Sequence, residues 1–431
     1  MRSTLFSFWT LFFGITLFMV GNGLQAVLLG VRAENLNFGD VITGFVMGGY
    51  YIGYLLGSWL VPKLVSQVGH IRVFGAMAAL ASSSILVHIV FEIPMVWLAM
   101  RVLTGFAYVG MYIVAESWIN DRATNDTRGK LLSIYMIVQM TGLLLGNYML
   151  VFDDGESYAL LLWVSIIVSF AAMPIMLTAA SAPDFTEPER ASLRWVYNVS
   201  PLAFIGMAAV GFQHAMVLAM GAVYAAKLGL TSTEISYFMV AIMGGAMLFQ
   251  YPIGKLSDVM DRRTVIIIAH ILSLAAAGLG VMAGLYGYGM LLLAAVFYGG
   301  FSFPLYALYL AHANDFLTPK QVVSTSGMLI MVNGAGAVLG SPVVGTAMGY
   351  FGAQAYFVVQ GMIHASMIGF GIYRMQKREA LPNEAQAPFS PVSGTQVAAA
   401  LLPEAEWEED DEEAKDTATD NSKTEAKQPA E

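Results

Sequence analysis

Cysteine is missing from all 431 residues, so the chain can hold no disulfide framework and no thiolate metal site. Charge is scarce as well. Asp, Glu, Lys and Arg make up 12% of the sequence, where a soluble domain carries about a quarter. The formal net charge of −9 is unevenly placed: residues 379–431 hold 14 of the 30 acidic residues and 3 of the 21 basic ones. Acids are absent from the middle of every long apolar run, the six histidines are scattered, and neither paired carboxylates nor a nucleophile elbow appears. Those absences argue against an enzyme, and no metal, cofactor or nucleic-acid partner is expected.

What remains is apolar. Hydrophobic residues supply 57% of the chain, and runs of about 18 or more recur up to residue 376, each able to cross a ~30 Å hydrocarbon layer as a helix. They are too long for the ~10-residue alternating strands of a membrane barrel. The first run, Leu5 to Leu29, is also too long for a signal-peptide core, so it reads as a retained span. The fold class is therefore an all-α polytopic membrane protein. Twelve transmembrane helices fall near residues 5–31, 40–65, 71–91, 94–119, 129–152, 157–180, 197–226, 233–257, 264–285, 287–313, 320–348 and 352–376. The longest connection, 181–196, is polar and holds Pro183 and Pro188. It separates a six-helix half at 1–180 from a second at 197–376, and an acidic tail follows at 377–431.

Loop charges orient the spans. With the N-terminus inside, 15 basic residues fall on the cytoplasmic side and only Arg32 and Lys227 on the other, the bias of the positive-inside rule. Both termini are expected in the cytoplasm.

The two halves echo each other. Span 5 carries Gln139, Gly142 and Gly146; span 11 carries Asn333, Gly336 and Gly340 at a constant offset. Gly48-Gly49 and Gly57 of span 2 match Gly244-Gly245 and Gly254 of span 8, and Gly21 of span 1 matches Gly211 of span 7. The pattern points to a duplicated, pseudo-symmetric six-helix unit.

One turn is more specific. Gly254-Lys255-Leu256-Ser257-Asp258-Val259-Met260-Asp261-Arg262-Arg263 sits at a corner between two spans, with an acid four residues after Gly and a basic pair beyond it. It resembles the loop signature of the major facilitator superfamily of transporters, as do Arg101-Val102-Leu103-Thr104-Gly105 in span 4 and the charged loop after that span. The resemblance covers roughly residues 5–376. It implies two parallel six-helix halves around a midplane site. It also implies secondary transport of a small organic solute by alternating access through a bacterial inner membrane. Proton coupling comes with it, efflux is among the directions it allows, and a monomer in the lipid bilayer is expected.

The resemblance assigns roles residue by residue. Asp258 would latch the halves on the cytoplasmic side by capping the start of span 5 near Arg128, while Arg262 and Arg263 hold the loop and anionic lipid. An ordinary charged loop is the plainer alternative. The matching first-half turn has Ser66 where the Asp would stand, which makes the latch one-sided. Arg101 would tune proton exchange or bind anionic groups, unless it serves only as a hydrogen-bonding strut to span 1. Glu116 would join a gating network, with Arg72 as partner; His312 would take its place in span 10.

The remaining candidates are polar residues near mid-depth: Asn22, Gln25, Tyr108, Tyr112, Gln139, Gln213, His214, Tyr306, Tyr309 and Asn333. Neutral amides and phenols suit a neutral or weakly polar solute, and each is equally suited to joining helices. Gln139 and Asn333 lead because duplication pairs them, whereas Tyr50, Tyr51 and Tyr54 read as packing. The tail run Glu404-Ala405-Glu406-Trp407-Glu408-Glu409-Asp410-Asp411-Glu412-Glu413 should be disordered. It supplies the alternative function, a transporter-fold sensor or scaffold that docks partners through its tail.

Overall fold

The computed structural model describes residues 2–122, 125–153, 157–176 and 191–378. Side chains are described for these except 2–8, 120–122, 125–130, 319–320 and 323. Residues 177–190, which include most of the linker at 181–196, and the tail from 379 lie outside the described residues, and with them the acidic run. Within the described residues twelve helices are long and apolar enough to cross a membrane. Spans 1–6 are Trp9–Asn35, Asp40–Val68, His70–Val90, Pro94–Ile119, Leu131–Phe152 and Ala159–Met176. Spans 7–12 are Pro201–Lys227, Ser232–Val259, Arg262–Tyr286, Tyr288–Asn314, Ser324–Phe351 and Ala355–Lys377.

Local chemistry sets the corners. Gly69 (φ 87°) ends span 2 and opens span 3, and Gly287 (φ 85°) does the same between spans 9 and 10. That left-handed backbone is open to glycine without a Cβ penalty. Span 7 starts later than the apolar pattern suggests. Residues 193–199 form a separate short helix, and Ser200 then caps span 7, accepting from the Ala203 N–H with Pro201 in the first turn. Span 10 is broken: helix runs to Ser302, resumes at Leu305, and Phe303-Pro304 fill the gap. Proline has no N–H to continue the ladder.

Glycine contacts fix the repeat register. A Cβ at Gly53 would strike the Val102 carbonyl, and one at Gly105 the Tyr50 carbonyl. In the second half Gly245 meets the Val296 carbonyl and Gly299 the Ile242 carbonyl. Spans 1 and 5 close through Gly142 at the Thr16 carbonyl and Gly146 at the Val20 carbonyl; spans 7 and 11 do so through Gly336 at Ala208 and Gly340 at Phe212. Every partner in spans 1 and 2 moves by 192 residues (Gly53 to Gly245, Val20 to Phe212) and every partner in spans 4 and 5 by 194 (Gly105 to Gly299, Gly146 to Gly340). Small residues at these seams let backbones approach closely, which is what drives helix association in lipid. The sequence pairings of Gly21 with Gly211 and of Gly48-Gly49 with Gly244-Gly245 are thereby corrected. Gly245 answers Gly53, one turn further on, because glycines one turn apart pair equally well on paper.

The two halves meet toward the end of the bundle away from Trp9 and Lys377. Gly30 of span 1 packs on Val223 of span 7, and Gly44 and Gly48 of span 2 pack on Ser341, Pro342 and Gly345 of span 11. Ser236 of span 8 donates to the Asn147 carbonyl of span 5 at 2.9 Å, and Tyr148 stacks with Tyr237 beside it. Asp40 and Lys227 form an ion pair across the halves at the same end.

Candidate functional site

A cavity lies between the halves, with about 1040 Å³ of free space including its mouth. Of the sequence candidates, Asn22, Arg101, His214 and Asn333 line it. The wall inherits the repeat. Asn22 and His214 are one pair at the 192 offset, Tyr51 and Met243 another; Met140 with Gly334 and Leu143 with Ala337 follow the 194 offset. Equivalent positions carry different chemistry. The first half contributes Asn22, Tyr50, Tyr51, Tyr54 and Arg101, while the second contributes Met239, Met243, Leu218 and Phe303 among its lining residues.

Arg101 is 2% exposed, and its nearest charge-stabilising partner is the face of Tyr50, 4.8 Å from the guanidinium carbon. Its Nε and Nη1 have no hydrogen-bond acceptor among the described residues. Asn22 Nδ2 donates to Tyr112 Oη at 2.9 Å and more weakly to Tyr50 Oη at 3.4 Å, which fixes the amide against spans 2 and 4. Across the cavity Asn333 Nδ2 donates to the Met207 carbonyl at 3.0 Å. His214 stacks on Phe303 with ring centroids 4.2 Å apart. Phe303 reaches the wall because the span 10 helix breaks there. Irregular backbone at membrane depth is tolerated where it is enclosed by protein or lines a cavity.

Several expectations are corrected. Gln25, Tyr108, Gln139, Gln213 and Tyr306 are buried within the helix packing and are not lining residues. Tyr108 belongs to a ring cluster with Phe18 and Tyr50, and Tyr309 donates to or accepts from His270 Nε2 at 2.7 Å. Gln139 therefore does not face Asn333 across the cavity, although the repeat relates them. Tyr50, Tyr51 and Tyr54, read from sequence as packing, are wall residues, as are Asn147 and Phe303. The available signal was the tyrosines' spacing on one face of span 2; sequence alone did not say which neighbour that face meets.

The gating candidates are also redistributed. Glu116 is 1% exposed and accepts a hydrogen bond from Tyr135 of span 5 at 2.9 Å. Arg72 is exposed at the start of span 3, and the nearby tie between spans 3 and 4 is His70 Nε2 with Ser117 Oγ at 2.9 Å. His312 is not the repeat partner of Glu116: Asn314-Asp315 aligns with Asn120-Asp121 at the 194 offset, which sets His312 against Trp118. Arg262 is 1% exposed and pairs with buried Asp315 at 2.5 Å. Arg263 pairs with Asp261 at 2.9 Å and donates to the Arg378 carbonyl at 2.8 Å. Both arginines thus knit the second half together and do not face lipid. Asp258 remains accessible, 4.0 Å from Arg262. The Arg128 side chain, and with it the proposed latch contact, lies outside the described residues.

The histidines are not all scattered. His270 Nδ1 and His364 Nδ1 lie 2.8 Å apart, and His364 Nε2 reaches Tyr298 Oη at 3.2 Å. With Tyr309 these form a buried chain inside the second half. One ring must donate where the other accepts, so the two carry complementary tautomers. No group of three metal-ligating side chains occurs among the described residues.

Known proteins were compared with this chain. The family model described as Major Facilitator Superfamily matches residues 11–198 and 202–407. An uncharacterized MFS-type transporter of Yersinia enterocolitica is 22% identical over 385 residues, covering 88% of this chain and 97% of that protein. One of Enterobacter sp. is 25% identical over 342 residues, 77% of this chain and 86% of the relative. Among solved structures, the nucleoside transporter NupG superposes with a TM-score of 0.73 at 16% identity, covering 88% of this chain and all of NupG (100%). A bacterial homolog of the human lysosomal transporter Spinster, inward-facing and occupied, gives 0.72 at 14% identity over 90% of this chain and 98% of its own. A D-xylose-proton symporter gives 0.68 at 14% identity, over 88% and 99%. At these identities the structural likenesses establish a shared fold.

Proposed function

We propose that this chain, which belongs to the major facilitator superfamily, carries a small organic solute across a bacterial cytoplasmic membrane by alternating access. The cavity between its halves would be the solute site. The observation that carries this reading is the closure of the halves at the end away from Trp9 and Lys377, through Asp40–Lys227, Gly44–Ser341 and Ser236–Asn147. With the termini in the cytoplasm, as the loop charges favour, this is an inward-facing arrangement. The solute shifts the equilibrium only through contacts that differ between the two arrangements.

Proton coupling would run through Glu116, a buried carboxylate whose bond from Tyr135 changes when it is protonated. Asp258 would latch the cytoplasmic end when the outer end opens. Net direction follows the gradients imposed.

The natural absence of cysteine makes the test direct. Met140→Cys on the cavity wall should label with a membrane-impermeant maleimide from the cytoplasmic side. Adding Asp40→Asn, which breaks the ion pair to Lys227, should raise labelling from the opposite side and alter flux of a solute panel in proteoliposomes. Labelling that ignores sidedness in both backgrounds would sink alternating access. Ligand binding without flux of any solute would favour a membrane sensor.

A further inference from the structure

The buried charges of this molecule differ in how they are balanced. Arg32 meets Glu92, Lys227 meets Asp40, and Arg262 meets Asp315. Arg101 does not follow the pattern. It is as buried as Arg262 and lies on the cavity wall, but its Nε and Nη1 have no acceptor among the described residues and its neighbour is an aromatic face. A desolvated cation held this way is unfavourable until an anion or an acceptor joins it. The guanidinium fork matches the two oxygens of a carboxylate.

The rest of the wall states what else the ligand carries. On the second-half wall His214 and Asn333 are polar; on the Arg101 side stand Asn22 and Tyr51. Their repeat partners on the opposite side are His214 and Met243, with Phe303 and Met239 beside them. A ligand that satisfies both walls has a charged head and an apolar body. We propose that the cavity binds a small organic carboxylate, its anionic head on Arg101 and its apolar or aromatic body against Met239, Met243 and Phe303. The inference deepens the transport reading by naming a solute class, and it departs from the neutral solute that the amides and phenols alone suggest.

The test compares charge at constant shape. Purified full-length protein is titrated with benzoate, cinnamate and octanoate, and with the primary amide of each, while thermal unfolding is followed. At least one carboxylate should stabilise the protein and its amide should not. In Arg101→Gln the dissociation constant of that carboxylate should rise roughly 10- to 100-fold, the loss expected for a charge-assisted hydrogen bond, and Arg101→Lys should restore part of it. Amides that match their acids in the wild type, or carboxylate affinity unchanged by Arg101→Gln, would overturn the assignment. So would failure of every carboxylate to stabilise the wild type. The acid–amide comparison needs no variant, so poor folding of Arg101→Gln leaves it decisive. Flux of amides without carboxylate binding refutes the anion site and leaves the transporter standing; carboxylate binding through Arg101 without flux does the reverse.

Discussion

The two halves share one helical plan and manage polarity in opposite ways. The first half turns Arg101, Asn22 and three tyrosines toward the cavity. The second half closes its strongest polar groups on itself, in the Arg262–Asp315 pair and in the His270–His364 chain with Tyr298 and Tyr309. At the position equivalent to Arg101 by the 194 offset the second half has buried Ala295. The seams are common to both halves, whereas Arg101 and the tyrosines line one wall and the internal bracing lies behind the other. The broken span 10 fits this division, because Phe303 extends the apolar wall at the point where the helix is interrupted.

If the second half is braced by its buried ion pair, removing one partner should cost most. Arg262→Ala or Asp315→Ala breaks this buried pair, which should lower unfolding stability by about 3–5 kcal/mol. Replacing both residues by apolar side chains of similar volume should recover much of it. Equal, small losses for single and double variants in detergent unfolding would mean that the pair braces nothing.

The histidine chain is the next test. His270→Phe strands His364 Nδ1 and Tyr309 Oη in the interior and should destabilise by about 1–3 kcal/mol. His270→Phe with His364→Phe should cost less than the sum, since the two share one hydrogen bond. Strict additivity would show the rings to be independent.

The shared plan is itself testable at the glycine seams. Gly53→Ala and Gly245→Ala each drive a methyl into a backbone carbonyl of the neighbouring helix, and both should destabilise by about 1–3 kcal/mol. Gly244→Ala points into open space and should be neutral or stabilising by up to about 1 kcal/mol. A large cost at Gly244 with none at Gly245 would overturn the seam between spans 8 and 10 and the 192-residue register built on it.

These seams show what was legible beforehand. The twelve spans follow from apolar length, because runs too long for barrel strands satisfy their backbone in lipid only as helices. The duplication shows in the offset between Gln139-Gly142-Gly146 and Asn333-Gly336-Gly340, since close helix approach leaves a small-residue trace. Facing is another matter. Gln213 and His214 are neighbours in sequence, yet one is sealed in the packing and the other lines the cavity. Mid-depth polarity identifies the level of a residue and not the helix it meets. His270 and His364 are 94 residues apart, and only the packing of spans 9 and 12 brings them together.

The smallest expected effect concerns the end away from Trp9 and Lys377, where the halves again differ in use. Lys227 joins one half to the other through Asp40, whereas Arg32 stays within the first half, bonding Glu92 at 2.9 Å while Tyr158 donates to the same carboxylate oxygen at 3.0 Å. The Arg32 hydrogen bond, helped by that of Tyr158 and opposed by partial burial, holds the Glu92 carboxyl below the ordinary glutamate range. A carboxylate lowered in the folded state contributes stability that is fully present above its unfolded pKa. That stability is lost as pH falls through the lowered folded value. About a third of the Glu92 side chain (34%) is exposed, so solvent screening should keep the contribution within about 1 kcal/mol. Glu92→Gln should therefore flatten the acid limb of the stability–pH curve slightly and leave neutral-pH cavity labelling untouched. Asp40→Asn should change the labelling at neutral pH. If Glu92→Gln shifts sidedness as Asp40→Asn does, Arg32 also belongs to the closure between the halves, and the distinction between the two ion pairs disappears.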